Sequence, residues 1–162
     1  MIKLIDNAIL QKDINALINW LQTNPQLTYG NLTKELEQQF TDFIGTKYSV
    51  FVNSGSSALL LMIYTLLESE IIDKQSKIVI PALAWATDIA PLIQFGVEPI
   101  LCDCNLDNLS IDLNQFESLI KKDEKIRAIV LVSVLGLVPE MKEIEQLCNR
   151  YNIILIEDVC ES

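Results

Sequence analysis

The sequence predicts an α/β fold with three layers, in which helices cover both faces of a mostly parallel sheet. The first indication is alternation: from residue 48 onward, short apolar runs alternate with helical patterns of about ten residues. The second is that these apolar runs are nearly continuous, which is typical of strands covered on both faces. The third is that 50% of the 162 residues are apolar, which is enough for a core and argues against disorder.

Two helices are predicted before the alternating region, over residues 6–22 and 31–44. Asp6 is positioned to cap the first helix. Its apolar residues recur at helical spacing: Leu10, Ile14, Leu17, Ile18 and Leu21. Asn31 is the expected N-cap of the second helix, and Gly45 ends it.

The alternating region supplies the rest of the predicted fold. Its strands are expected at residues 48–52, 77–80, 98–104, 127–134 and 153–157. Its helices are expected at residues 58–67, 88–95, 113–122 and 139–151. Gly96 closes the second of these helices, and Asp112 caps the third. We divide the chain into an N-terminal helix and loop, residues 1–30, and a large domain, residues 31–162.

Composition and charge exclude several classes of function. The chain has 22 acidic and 12 basic residues, a net charge of −10, so it repels phosphate backbones and anionic lipid. We therefore expect neither a nucleic acid nor a membrane as partner. The chain has no histidine, which excludes a histidine-based triad or metal site within it. It carries neither a signal-peptide pattern nor an apolar run long enough to span a bilayer, and we expect a cytoplasmic protein.

The four cysteines predict no metal site. They stand at positions 102, 104, 148 and 160, and no two of them form a CxxC pair. Cys102 and Cys104 lie two residues apart in an apolar run, where small buried residues are the ordinary interpretation.

A polar turn follows the first predicted strand. Residues 53–58 read Asn-Ser-Gly-Ser-Ser-Ala and lead into a helix. The free N–H groups of a helix N-terminus, with a glycine and nearby hydroxyls, suit a single phosphate. Simple capping by serine is the alternative. The turn has neither the lysine of a P-loop nor the glycines of a dinucleotide fingerprint, so we set aside an ATPase-like module.

Two acids, Glu157 and Asp158, end the last predicted strand. The carboxyl ends of parallel strands share one sheet edge, which is where open α/β sheets bind ligands. Three interpretations remain open for these acids. They are a Mg²⁺ site like that of ATPases, a cap for a following helix, or a carboxylate that pairs with a pyridinium nitrogen and keeps that ring protonated.

A tryptophan stands in a loop of small and apolar residues directly after the second predicted strand. Residues 81–87 read Pro-Ala-Leu-Ala-Trp-Ala-Thr. A tryptophan in such a loop is usually part of the core. At the carboxyl edge of a sheet, Trp85 can instead stack on a flat ring.

Together, and in this order, the three motifs resemble the DegT–DnrJ–StrS family of pyridoxal-phosphate-dependent nucleotide-sugar aminotransferases. The resemblance runs from about Thr28 to the end of the chain. The segments that carry it are residues 53–59, 80–87, 94–96 with Pro99 and Asp103, 110–112 and 156–161.

The resemblance implies part of a fold-type-I large domain that binds pyridoxal 5'-phosphate. Gly55, Ser56 and Ser57 would hold the cofactor phosphate by backbone and hydroxyl donors. Trp85 would stack on the pyridine ring, and Asp158 would pair with the ring nitrogen.

Glu161 stands where the family often carries glutamine, close to the 3-oxygen of the cofactor. A carboxylate there would repel a phenolate, so this contact departs from the family pattern. The resemblance also implies that the Schiff-base lysine lies beyond Ser162 and that the C-terminal small domain is absent. We therefore assign no catalytic residue within this chain, and expect it to be truncated before that lysine and unable to transaminate by itself.

The resemblance implies a nucleotide-sugar substrate and leaves the reaction open. Most members transfer an amino group to a keto-sugar. One branch replaces the lysine with histidine and removes the 3-hydroxyl of the sugar as a dehydratase, and residues 52–57 and 135–136 are similar to that branch. A non-catalytic fragment is the third possibility. Because the family builds its active site across a homodimer, we expect self-association.

Overall fold

The computed structural model describes residues 8–162, which form two compact units, one up to Phe51 and the other Val52–Ser162. The predicted cap Asp6 lies outside the described residues. Within residues 8–162 no helix is long and apolar enough to cross a membrane.

The first unit holds two helices, α1 (Gln11–Gln22) and α2 (Asn31–Ile44). Residues 8–10 are not helical, so the predicted start of the first helix is too early. The helix begins at residue 11 because the Asp13 carboxylate accepts the Leu10 backbone N–H at 2.8 Å. The bounds predicted for α2 are confirmed, including its end at Gly45, whose φ is 77°.

Two local predictions in this unit are wrong. Asn31 is the first residue of α2, and the N-cap is Gly30. Residues 48–52 form no strand. Side chains of α2 satisfy polar groups there instead: the Phe51 N–H donates to Glu37 Oε1 at 2.9 Å, and Thr41 donates to Ser49 Oγ at 2.8 Å.

The second unit contains a sheet of four parallel strands. They are β1 (Lys77–Pro81), β2 (Glu98–Cys102), β3 (Ile126–Val132) and β4 (Ile154–Asp158), in the order β2-β1-β3-β4. The connecting and flanking helices are α3 (Gly55–Glu68), α4 (Ala86–Phe95), α5 (Leu113–Lys122) and α6 (Met141–Tyr151). The prediction of an α/β fold with a parallel sheet is confirmed.

Side-chain alternation along the strands separates two cores. Val79 and Ile129 pack on one face with Phe116 of α5 and Ile144 of α6. Their strand neighbours pack on the other face with α3 and α4: Ile78, Ile80, Val130 and Ile156 with Ile63 and Leu92. Helices therefore cover both faces, and the predicted three layers are confirmed.

The strand order places a crevice at the carboxyl ends of β1 and β3. From β1 the chain passes to β2 on one side, whereas β3 lies against the other side of β1. The connections after these two strands therefore diverge, which is the point at which open α/β sheets bind ligands. At the opposite end of β1, Lys77 Nζ lies 2.9 Å from Asp123 Oδ2 and 3.2 Å from Glu98 Oε1.

Candidate functional site

A cavity of about 650 Å³ lies at this carboxyl edge. The segments after β1, β3 and β4 and the first turn of α3 line it. The lining includes five of the six residues singled out from the sequence: Gly55, Ser56, Trp85, Asp158 and Glu161. A cavity of similar volume, about 680 Å³, lies by Tyr64 and Phe95 and contains none of them. We therefore take the cavity at the sheet edge as the candidate site.

The first turn of α3 presents hydrogen-bond donors to the cavity. Ser54 is the N-cap, and its Oγ accepts the Ser57 N–H at 3.1 Å. The Ser54 hydroxyl also donates to Ser57 Oγ at 3.1 Å. The N–H groups of Gly55 and Ser56 have no acceptor within the helix, since they belong to its first turn. Ser57 is thus part of the cap and lines an adjoining cavity of about 220 Å³ that it shares with Ser56.

Gly55 permits a close approach between α3 and the segment that follows β4. A Cβ at this position would lie 3.0 Å from Cys160 Sγ. The glycine therefore lets the donor turn and the end of β4 line the same cavity.

Trp85 is the N-cap of α4 and lies with 70% of its surface exposed. The core interpretation of this residue is wrong. An exposed indole in the wall of a cavity has a free aromatic face, and such a face stacks on flat rings.

Asp158 is the last residue of β4, and its partner in the β3 register is Val132. Its Oδ1 accepts the Cys160 backbone N–H at 2.9 Å. Burial acts to raise the pKa of Asp158, but hydrogen bonds from the Cys160 thiol and backbone and from Asp88 outweigh it, and the pKa lies below its usual value. The same thiol contact raises the pKa of Cys160 to about 11. Asp158 is therefore a carboxylate at neutral pH.

Glu157, the neighbouring acid, is exposed. Strand alternation directs it away from Asp158, so the two acids do not converge as a Mg²⁺ site requires. Among residues 8–162 no group of three or more His, Cys, Asp or Glu side chains is placed to hold a metal ion.

Asp88 is a residue of this region that sequence reasoning missed. It is fully buried, and its Oδ2 accepts the Trp85 N–H at 2.8 Å. Its carboxyl lies within hydrogen-bonding distance of Asp158. Burial raises its pKa to about 6, against the lowering effect of the Trp85 N–H. From the sequence, an acid in the first turn of a helix is an ordinary cap, and nothing in the spacing pointed to its burial.

Glu161 is tied to the turn that follows β3. Its Oε2 accepts the Leu135 N–H at 2.6 Å. Leu135 has a φ of 54°, an uncommon conformation for leucine, and Gly136 follows with a φ of 73°. One carboxylate oxygen of Glu161 is thus engaged by backbone within the cavity wall.

We expect Gly136→Ala to destabilise the fold by more than Gly96→Ala, although both glycines have a left-handed backbone conformation. A Cβ at Gly136 would lie 3.0 Å from the Glu161 carbonyl oxygen, whereas a Cβ at Gly96, also at φ 73°, has no heavy atom within 4 Å. Gly96→Ala should cost about 1 kcal/mol for backbone strain alone. Gly136→Ala should cost about 1–2 kcal/mol more, since the backbone at Glu161 must shift. Urea unfolding of the two variants measures this difference, and equal losses would contradict the contact.

The donor set of the cavity fits a flat cationic ring that carries a phosphate. Helix N–H groups attract an anion, a carboxylate with a lowered pKa pairs with a protonated ring nitrogen, and the exposed indole faces the space between them. Pyridoxal phosphate has each of these parts.

Residues 8–162 match the model of the DegT/DnrJ/EryC1/StrS aminotransferase family. The chain belongs to this family. The family resemblance found from the sequence motifs is confirmed. The matched region contains every described helix and strand of this chain.

Individual relatives agree with this assignment. A GDP-4-keto-6-deoxy-D-mannose 3-dehydratase of Yersinia pseudotuberculosis is 34% identical over 154 residues, which cover 94% of this chain and 38% of that protein. The solved structure of E. coli GDP-4-keto-6-deoxy-D-mannose-3-dehydratase with bound hydrated PLP has a TM-score of 0.89 at 32% identity, covering 98% of this chain and 41% of that one. This chain thus spans 38% of the length of the Yersinia dehydratase and 41% of the length of the E. coli chain.

An aminotransferase of Psychrobacter cryohalolentis has a TM-score of 0.84 at 21% identity, over 96% of this chain and 38% of that one. At that identity the likeness concerns the fold alone.

Proposed function

We propose that this chain forms the pyridoxal-phosphate-binding part of an enzyme that acts on a nucleotide-linked keto-sugar. The observation that carries the proposal is convergence: a helix N-terminus, an exposed indole and a carboxylate with a lowered pKa line one cavity at the sheet edge. In domain terms, residues 31–162 are part of the cofactor-binding large domain, and residues 1–30 precede it.

The phosphate binds at the first turn of α3. The N–H groups of Gly55 and Ser56 and the Ser56 hydroxyl face the cavity and donate to the phosphate oxygens, and the helix dipole favours the negative charge. Ser57 supports them, because its N–H and Oγ are held by Ser54. The glycine keeps the backbone of this turn accessible.

The ring binds between Trp85 and the end of β4. The indole stacks on the ring, and Asp158 accepts a hydrogen bond from the protonated ring nitrogen. When bound, pyridoxal phosphate supplies a ring that accepts electron density from a substrate carbon. Asp158 keeps the ring protonated, since its lowered pKa lets it carry the charge that the pyridinium requires. Glu161 stands at the cavity wall with one oxygen bound to the Leu135 N–H. As the resemblance implies, we expect Glu161 to lie close to the 3-oxygen of the bound cofactor.

The catalytic amine or imidazole is assigned outside residues 8–162. No lysine lines the cavity within these residues. Lys77 is ion-paired at the opposite end of β1 with Asp123 and Glu98. We expect the complete active site to be built across a homodimer, as the resemblance implies, and the protein to be cytoplasmic.

Of the two reactions open from the sequence, we favour removal of the 3-hydroxyl over amino transfer. The dehydratases are 34% and 32% identical to this chain, against 21% for the aminotransferase. The substrate class of the proposal is then a nucleoside-diphosphate 4-keto-6-deoxy sugar, with GDP-4-keto-6-deoxy-D-mannose as the compound to test.

The test supplies the complete protein with the cofactor, L-glutamate and GDP-4-keto-6-deoxy-D-mannose. Mass spectrometry distinguishes a product that lacks the 3-oxygen from one that has gained nitrogen. We expect the product that lacks the 3-oxygen. Amino-sugar formation would overturn the dehydratase assignment, and no binding of the cofactor would overturn the proposal as a whole.

A further inference from the structure

Asp88 is a carboxyl with no contact to solvent. It stands in the first turn of α4, next to Thr87, which lines the cavity. Its Oδ2 accepts a hydrogen bond from the Trp85 N–H at 2.8 Å. Its Oδ1 is buried and receives no hydrogen bond from a donor group of the described residues. Ionisation of a carboxyl that is buried with one oxygen unbonded costs free energy, so we consider which group stabilises Asp88.

The fold brings the Asp88 carboxyl to Asp158. Asp158 follows Ile154 and Ile156 at even-numbered positions of β4, which share the sheet face that α3 and α4 cover. Asp88 lies at the start of α4 on that same face, and the two carboxyls are within hydrogen-bonding distance. Two carboxyl groups form a hydrogen bond only if one of them carries a proton.

The proton belongs on Asp88. Asp158 is half-buried and accepts the Cys160 backbone N–H at 2.9 Å, so its charge is stabilised. Asp88 has a single N–H donor and no exposure. The titratable group that acts on the pair from the segment after β4 is Cys160, and from the start of α4 the pair receives the Trp85 N–H. α3 lines the cavity with Gly55 and Ser56, neither of which carries a charge.

We propose that Asp88 is a positioning residue, which carries a proton and donates it in a hydrogen bond to Asp158, and so fixes the carboxylate that faces the cofactor ring nitrogen. The part of this statement that concerns the cofactor rests on the function proposed above. The part that concerns the carboxyl pair does not, because it follows from the burial and hydrogen bonding of these residues alone.

The protonated state predicts that asparagine replaces Asp88 well. An asparagine Oδ1 accepts the Trp85 N–H, and its NH₂ group donates to Asp158, as the protonated acid does. Asp88→Leu has a similar size but removes both hydrogen bonds. We therefore expect Asp88→Asn to bind the cofactor within about threefold of wild type, and Asp88→Leu to bind it about tenfold more weakly, in line with one lost hydrogen bond to a charged group.

The pair also predicts a pH dependence of stability. Burial raises the pKa of Asp88 from 3.8 to about 6. The stability that the protonated Asp88 contributes to the folded state is therefore present below pH 4 and is lost as the pH rises through about 6. Asparagine cannot ionise. Between pH 4 and pH 7 the folding equilibrium constant of wild type should fall about a hundredfold relative to that of Asp88→Asn, since each pKa unit is worth a factor of about ten.

The experiment measures urea unfolding of wild type, Asp88→Asn and Asp88→Leu from pH 4 to pH 7, together with the affinity for 4-deoxypyridoxine 5'-phosphate, which cannot form an imine. Asp13→Leu is the matched capping control, because Asp13 accepts the N-cap N–H of α1 at the same 2.8 Å but is exposed. This control should not change the affinity.

If the difference in free energy of unfolding between wild type and Asp88→Asn did not change with pH, the proposal that Asp88 carries a proton would be wrong. Equal affinities of Asp88→Asn and Asp88→Leu for the ligand would overturn the positioning role. If wild type bound no ligand, the proposed function would fail, and the unfolding profiles alone would still decide whether Asp88 carries a proton.

Discussion

Asp158→Asn is expected to lower turnover of the complete protein about a hundredfold while weakening cofactor binding much less. The substitution keeps the size of the side chain, and an amide still forms a hydrogen bond with the ring nitrogen. It removes the charge that keeps the ring protonated, and a hydrogen bond to a charged group is worth about 1.5–3 kcal/mol. Steady-state kinetics and a cofactor titration measure the two effects separately.

Glu157→Gln is the matched control for this prediction. Glu157 precedes Asp158 in β4, carries the same charge and is exposed. We expect its substitution to leave turnover and affinity within about twofold of wild type, as for surface changes in general. Full turnover in Asp158→Asn would show that this carboxylate does not face the ring nitrogen.

Ser56→Asp is expected to weaken binding of the cofactor phosphate about a hundredfold or more. Ser56 is exposed at the first turn of α3 and lines the cavity. A carboxylate there occupies the positive end of the helix dipole and repels the phosphate. The same charge should stabilise the helix by up to about 1 kcal/mol, so lost binding will not reflect lost folding.

Ser56→Asn controls for size, since it differs from Ser56→Asp in charge alone. We expect it to retain most of the affinity, and thermal unfolding should rank Ser56→Asp as at least as stable as wild type. Equal losses of affinity in the two variants would mean that charge at this turn is irrelevant to binding.

The sequence predicted the elements whose stop signals are local. Helix α2 ends at Gly45 as predicted, and α5 has the predicted bounds because Asp112 caps it by accepting the Gln115 N–H at 2.9 Å. The strand expected at residues 48–52 is absent because an apolar run does not specify the partners of its backbone hydrogen bonds. Here the Glu37 carboxylate accepts the hydrogen bond from the Phe51 N–H.

The candidate site was predictable to the extent that topology fixes it. Parallel strands bring their carboxyl ends to one edge, so Trp85 and Asp158 were expected together and do line one cavity. Burial at that edge was not predictable. Trp85 is exposed although tryptophan is usually buried, and Asp88 is buried although aspartate is usually exposed. Both outcomes depend on the packing of α4, which spacing in the sequence does not encode.

The central claim is that one cavity at the sheet edge binds a ring phosphate between Trp85 and the α3 turn. The most direct measurement is a fluorescence titration of Trp20→Phe with 4-deoxypyridoxine 5'-phosphate, since Trp20 and Trp85 are the two tryptophans of the chain. The account predicts saturable quenching of Trp85 at one ligand per chain, and binding at least about tenfold weaker for the analogue without phosphate. No quenching, or equal binding of the two ligands, would contradict it.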